Sequence, residues 1–152
     1  MRDDMSLTAS IFPSKDLVLA ACRGFPVIGN HPVLDAASEL ALLHQIRECT
    51  PVSELEEIDW RRTRLVLSID RWVRIAAPVP FEAARTHTET IGQVIDRLAQ
   101  LTMQAFLALA NAPDWVYYDA YVIVLDLANA YQDLVDEVAV GIRRLPQRSA
   151  YR

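Results

Sequence analysis

Thr86-His87-Thr88-Glu89-Thr90-Ile91-Gly92-Gln93-Val94-Ile95-Asp96-Arg97-Leu98 reads as the entrance and first turns of a helix. Thr86 can cap, and Glu89 three residues later can reach back to complete a capping box. Apolar residues then recur at Ile91, Val94, Ile95, Leu98, Leu101, Ala105 and Leu109, the spacing of one buried helical face. Glu89, Gly92, Gln93, Asp96 and Gln100 stack on another side. A mid-helix glycine costs roughly 1 kcal/mol against alanine. Gly92 therefore marks a place where a side chain would block a close approach, by another helix or by a ligand. This reading makes the helix from Thr88 to Ala110 the one around which the others pack.

Working outward, the same signals delimit four more helices. Ser14 caps a first helix from Lys15 that stops at Gly24, and Pro32 opens a second that runs to Cys49. The face of this second helix is Leu34, Ala37, Leu40, Ala41 and His44. Ser53 and Glu56 suggest a capping box for a third, from Glu54 to Ala76, ended by Pro78 and Pro80. Its stripe is Leu55, Ile58, Leu65, Ile69, Trp72 and Ala76, with Arg62 in a slot where an apolar residue is due. Asp114 caps the last helix, Trp115 to Leu145, with a seam of Tyr117, Tyr121, Val124, Ala128, Tyr131, Leu134, Val138, Ile142 and Leu145. No strand pattern stands out. The expected fold is all-α, an antiparallel bundle of five helices, three of them long, in one domain with a loose segment up to Phe12.

Composition narrows the function classes. The chain has 152 residues, 52% of them hydrophobic, enough for a proper core. Its net charge of −5 argues against nonspecific binding to nucleic acid or anionic membrane. Lys15 is the sole lysine, and arginine pairs well with carboxylates in partly buried places. Cys22 and Cys49 have no metal-like spacing and read as buried thiols of a reducing, cytoplasmic compartment. No apolar leader opens the chain, and no uninterrupted apolar run is long enough to insert in a membrane.

The residues with most chemical potential are acids and arginines on three helices: Asp59, Arg62 and Asp70; Glu89, Asp96 and Arg97; and Gln132, Asp133, Asp136 and Glu137. Carboxylates gathered from several helices could hold Mg2+, a hard ion that takes oxygen ligands and binds phosphorylated substrates. The same residues also suit structural ion pairs, with Glu89, Asp96 and Asp133 as candidate partners of Arg62. His31 and His87 stand at helix entrances and His44 on an apolar face, where caps and core are the ordinary roles. No catalytic motif is complete, so no catalytic residue is assigned, and neither a metal site nor a cofactor is expected. Trp60, off the third helix's stripe, and Trp115, Tyr118 and Val122, off the last helix's seam, suit a second interface.

Glu57-Ile58-Asp59 with Arg64 and Ile69-Asp70, Thr88-Glu89-Thr90 with Gly92 and Ile95-Asp96-Arg97-Leu98, and Gln132-Asp133-Leu134 with Asp136-Glu137 carry a resemblance. In this order they resemble an uncharacterised bacterial family of all-helical domains of unknown function with a Thr-Glu…Asp-Arg-Leu signature. Ser14-Lys15-Asp16-Leu17 looks like the shorter actinobacterial and phage-type members. The resemblance covers about Asp59 to Leu145, supplies no catalytic residues, and implies that Glu89, Asp96, Arg97 and Asp133 share one feature. The expected function is binding of a protein partner or of a second copy. The rival is a small metal-assisted hydrolase or transferase acting on a nucleotide or other phosphorylated metabolite.

Overall fold

The computed structural model describes residues 11–147. Five helices follow in order: α1 (Lys15–Cys22), α2 (Pro32–Glu48), α3 (Leu55–Ala76), α4 (Ile91–Asn111) and α5 (Asp114–Ala139). The architecture is predominantly α. α4 touches every other helix, whereas α3 and α5 do not touch each other, so α4 is the hub that its apolar seam implies. Ile91, Val94, Ile95, Leu98 and Ala105 are buried against Leu40 of α2, Ile69 of α3 and Val124, Ala128 and Tyr131 of α5, in one core cluster. The Tyr131 hydroxyl donates to the Pro13 carbonyl at 2.7 Å and is satisfied inside that core.

Several boundaries differ from the sequence expectation. α4 begins at Ile91, not Thr88. Thr90 is its cap, and Thr90 and Gln93 form the reciprocal capping box. Thr86 instead belongs to β1 (Arg85–Thr86), which pairs in parallel with β2 (Arg143–Arg144), a two-residue sheet where none was expected. The His87 N–H continues the ladder to the Arg144 carbonyl at 2.7 Å, so this backbone is spent on long-range pairing and cannot start a helix. The same pairing explains why α5 stops at Ala139 rather than Leu145. The chain turns at Gly141 with φ 83, a left-handed conformation suited to glycine, and runs out to β2. Ile142 is consequently exposed rather than part of a seam.

Other corrections are local. A 3-10 turn over Val52–Glu54 leads into α3, whose cap makes no side-chain hydrogen bond, so the Ser53–Glu56 box does not form. Pro113 rather than Asp114 precedes α5. Phe12 is buried with its ring edge against Trp72, so the N-terminal segment is anchored there; residues 1–10 lie outside the described part. Cys49 is exposed just beyond α2, whereas Cys22 is buried as expected. Ser14 and His31 do cap α1 and α2, accepting from the Leu17 and Val33 N–H groups.

Candidate functional site

Two features of the bundle could carry function, a chain of charged side chains across α2, α3 and α4 and an apolar cleft between α1, α2, α4 and α5. The charged chain starts at the core. His44 and Arg47 are three residues apart on α2 and share a face. His44 is buried, and its Nε2 lies 2.8 Å from Asp96 Oδ1. A carboxylate only accepts, so Nε2 carries the proton. Arg62 occupies its core slot on α3 and donates to both oxygens of Asp96, Nη2 to Oδ2 at 2.8 Å and Nε to Oδ1 at 3.3 Å. It also donates from Nη1 to Asp59 at 2.9 Å. Asp59 in turn takes two hydrogen bonds from Arg47. The order is His44, Asp96, Arg62, Asp59, Arg47, alternating hydrogen-bond donor and acceptor and tying α2, α3 and α4 together.

Burial and pairing compete in this chain. Burial pushes the Asp96 carboxyl upward, but hydrogen bonds from His44 and Arg62 outweigh it and hold the group below its ordinary 3.8. The Arg47 hydrogen bond, opposed by burial and aided by Arg62, lowers Asp59 as well. Each acid therefore binds fewer protons folded than unfolded. The stabilisation is present above the unfolded value and is lost as pH falls through the lower folded one. Asp96 supplies most of it, because Asp59 is 40% exposed and screened by solvent. Thermal melts are expected to show Tm falling steeply below about pH 4, and Arg62→Ala to flatten that fall. Identical pH slopes for the two proteins would mean that Arg62 does not bias Asp96.

The other sequence candidates are not gathered here. Glu89 pairs with Arg97 through two hydrogen bonds at 3.0 and 3.1 Å, within the α4 entrance and first turns rather than between helices. Neither residue meets Arg62. Asp70 faces the α4 N-terminus, where its Oδ1 accepts the Gly92 N–H at 2.8 Å. Gly92 does make room for the close approach of another helix, the α3 backbone at Val66 and the Asp70 side chain. Gln132 belongs to a separate group with Asp136 and the Lys15 backbone. Asp133 is exposed on α5, away from Arg62. His44 and Arg47 were the members missed as ligands of the acids. Their i, i+3 spacing on α2 was the available signal. Among the described residues, no three His, Cys, Asp or Glu side chains gather in a metal-holding group.

The cleft has about 660 Å3 and is walled by Leu42 of α2, Phe106 and Leu109 of α4, and Tyr117 and Tyr121 of α5. Tyr117 and Tyr121 were expected inside the seam. They are half-buried and stack at 6.0 Å along the cleft wall instead. Cys22 lines the cleft too, but burial, only partly offset by Arg23, pushes its thiol up to about 12. It stays protonated and is a poor nucleophile. Beside the cleft, Trp115 and Tyr118 are 66% and 63% exposed, and Tyr118 touches Tyr117 at 5.6 Å. Trp60 stands apart, also exposed, under the Arg64 guanidinium at 4.9 Å.

Among the described residues no helix is long and apolar enough to cross a membrane. No curated protein and no solved structure matches the chain. Residues 43–113 match a family model described as a protein of unknown function, DUF4254. The matched stretch holds all five members of the charged chain and Gly92, and it ends before α5. Over that stretch, which in this structure spans the end of α2, α3 and α4, the chain is similar to a family of unknown function.

Proposed function

We propose that this is a helical-bundle interaction protein that binds another protein through the cleft and the adjoining α5 face. One observation carries the reading. Phe106, Leu109 and Leu42 each expose more than half their surface on the cleft wall, and Trp115, Tyr118 and Val122 do so on another face of α5, the helix that brings Tyr117 and Tyr121 to that wall. Monomers rarely expose contiguous apolar patches larger than a few hundred Å2. Each partner of a standard interface buries about 800 Å2. Aromatic anchors beside a groove are the composition that interfaces favour. The acids suit a structural part, since Arg62 fills the space between Asp59 and Asp96 that a substrate of the rival hydrolase would need.

The test is a photo-crosslinking amino acid placed at Tyr118, Phe106 or Val122, with Glu57 and Glu82 on other surfaces as controls, in cells that express the protein. The expected result is one recurrent adduct from the cleft positions, identified by mass spectrometry and lost with Trp115→Ala. Adducts of equal yield from the control positions, or none from the cleft, would contradict the reading.

A further inference from the structure

Along one side of α5, exposed Trp115, Tyr118, Val122 and Asn129 and half-buried Leu125 and Gln132 follow the 3-4-3-4-3 spacing of a coiled-coil seam. The chain covers the polar half of that seam itself. Lys15 Nζ donates to Asn129 at 2.6 Å and the Lys15 N–H donates to Gln132 at 2.9 Å. The apolar half, Trp115 to Leu125, is left for another helix, with the cleft along one side of it.

Charge decides which helix. On the flank of the seam away from the cleft, Asp119 and Asp126 are exposed, and neither makes an ion pair or side-chain hydrogen bond among the described residues. Glu39 adds a carboxylate to the cleft wall, against one arginine, Arg23. A second copy offering its own α5 antiparallel would bring the Asp119 and Asp126 carboxylates of the two copies together, and like charges on flanking positions oppose pairing, while a parallel copy would set Tyr121 and Ala128, with no cation, beside them. Resting on the interaction reading above, we infer that the α5 seam takes a basic amphipathic helix from a different protein, with apolar residues at heptad spacing and Lys or Arg beside them. The apolar stripe seats on Trp115, Tyr118, Val122 and Leu125, and the cations reach Asp119 and Asp126.

Fluorescence anisotropy with labelled peptides of about three heptads tests this. One peptide carries leucine at the heptad positions and lysine elsewhere. A second has the same composition with the leucines off register. A third replaces lysine by glutamate. The first should bind saturably and weaken with salt. The off-register and glutamate peptides should bind at least about tenfold more weakly. Tyr118→Ala, at an exposed site, should cost the first peptide about tenfold. Asp119→Lys combined with Asp126→Lys should reverse the preference between the lysine and glutamate peptides. Equal binding of the lysine peptide and either control, or no loss with Tyr118→Ala, would overturn the inference. So would sedimentation showing a wild-type dimer that Tyr118→Ala dissolves. Crosslinks from Tyr118 with no peptide binding would leave the interaction reading standing and remove the basic helix; absence of both would remove the two together.

Discussion

Gly92→Ala should lose about 2–4 kcal/mol of stability, a large share of the about 5–15 kcal/mol that holds a typical domain. A Cβ built at Gly92 would lie 2.5 Å from the Val66 carbonyl oxygen and 2.6 Å from Asp70 Oδ1. The first of these is backbone in the middle of α3, so the helices must move apart rather than a side chain swing away. Separation would stretch the 2.8 Å hydrogen bond from the Gly92 N–H to Asp70. Losing a buried partner of this kind costs about 1–3 kcal/mol. Gly92 is the second residue of α4, so alanine's better helix propensity, about 1 kcal/mol in a helix interior, returns less than that here. Urea denaturation reads the net effect. A variant as stable as the parent would mean that α3 and α4 do not cross this closely.

Arg62→Ala is expected to cost about 3 kcal/mol, the low end of the range for stranding a buried charge. The Arg62 side chain is 22% exposed and its guanidinium makes three hydrogen bonds, two of them to one carboxylate. Its removal leaves Asp96 with His44 alone and Asp59 with Arg47 alone, which is why the loss stays at the low end. The stem adds packing in a slot otherwise lined by apolar residues of α3. A surface arginine would give about 0–1 kcal/mol.

Much of this fold was legible in the residues. The seam of α4 follows helical spacing over four turns, and α4 is the hub. The stripe of α2 from Leu34 to His44 is buried as read. Arg62 at an apolar position of α3 was a sound sign of a charged group turned inward. What local spacing could not decide was competition between equivalent signals. Thr86 with Glu89 and Thr90 with Gln93 are both capping boxes on paper; the pairing of β1 with β2, far away in the chain, chose the second. In the same way Ile142 and Leu145 extend the α5 periodicity, while Gly141 and the pull of β2 end it. The charged chain was half visible. Asp59, Arg62 and Asp96 could be named from helical faces, but which acid an arginine reaches depends on helix rotation and crossing. That is why Glu89 and Asp133 were offered to Arg62 and Arg47 was not. The α5 face was readable as a surplus of aromatics off the seam.

The molecule has two parts. A polar junction holds α2, α3 and α4 together, and the α5 face is the one proposed to meet a partner. The most direct measurement of the first half is a double-mutant cycle on Arg62→Ala and Asp96→Ala by chemical denaturation. The expected coupling is about 2 kcal/mol, because either single change takes the strongest partner from the other half-buried charge, whereas the double change removes both charges and leaves Asp59 still paired with Arg47. Single losses under about 1 kcal/mol that add within about 0.5 kcal/mol would contradict it. The acids would then be open to solvent, and the hydrolase reading would become the better one.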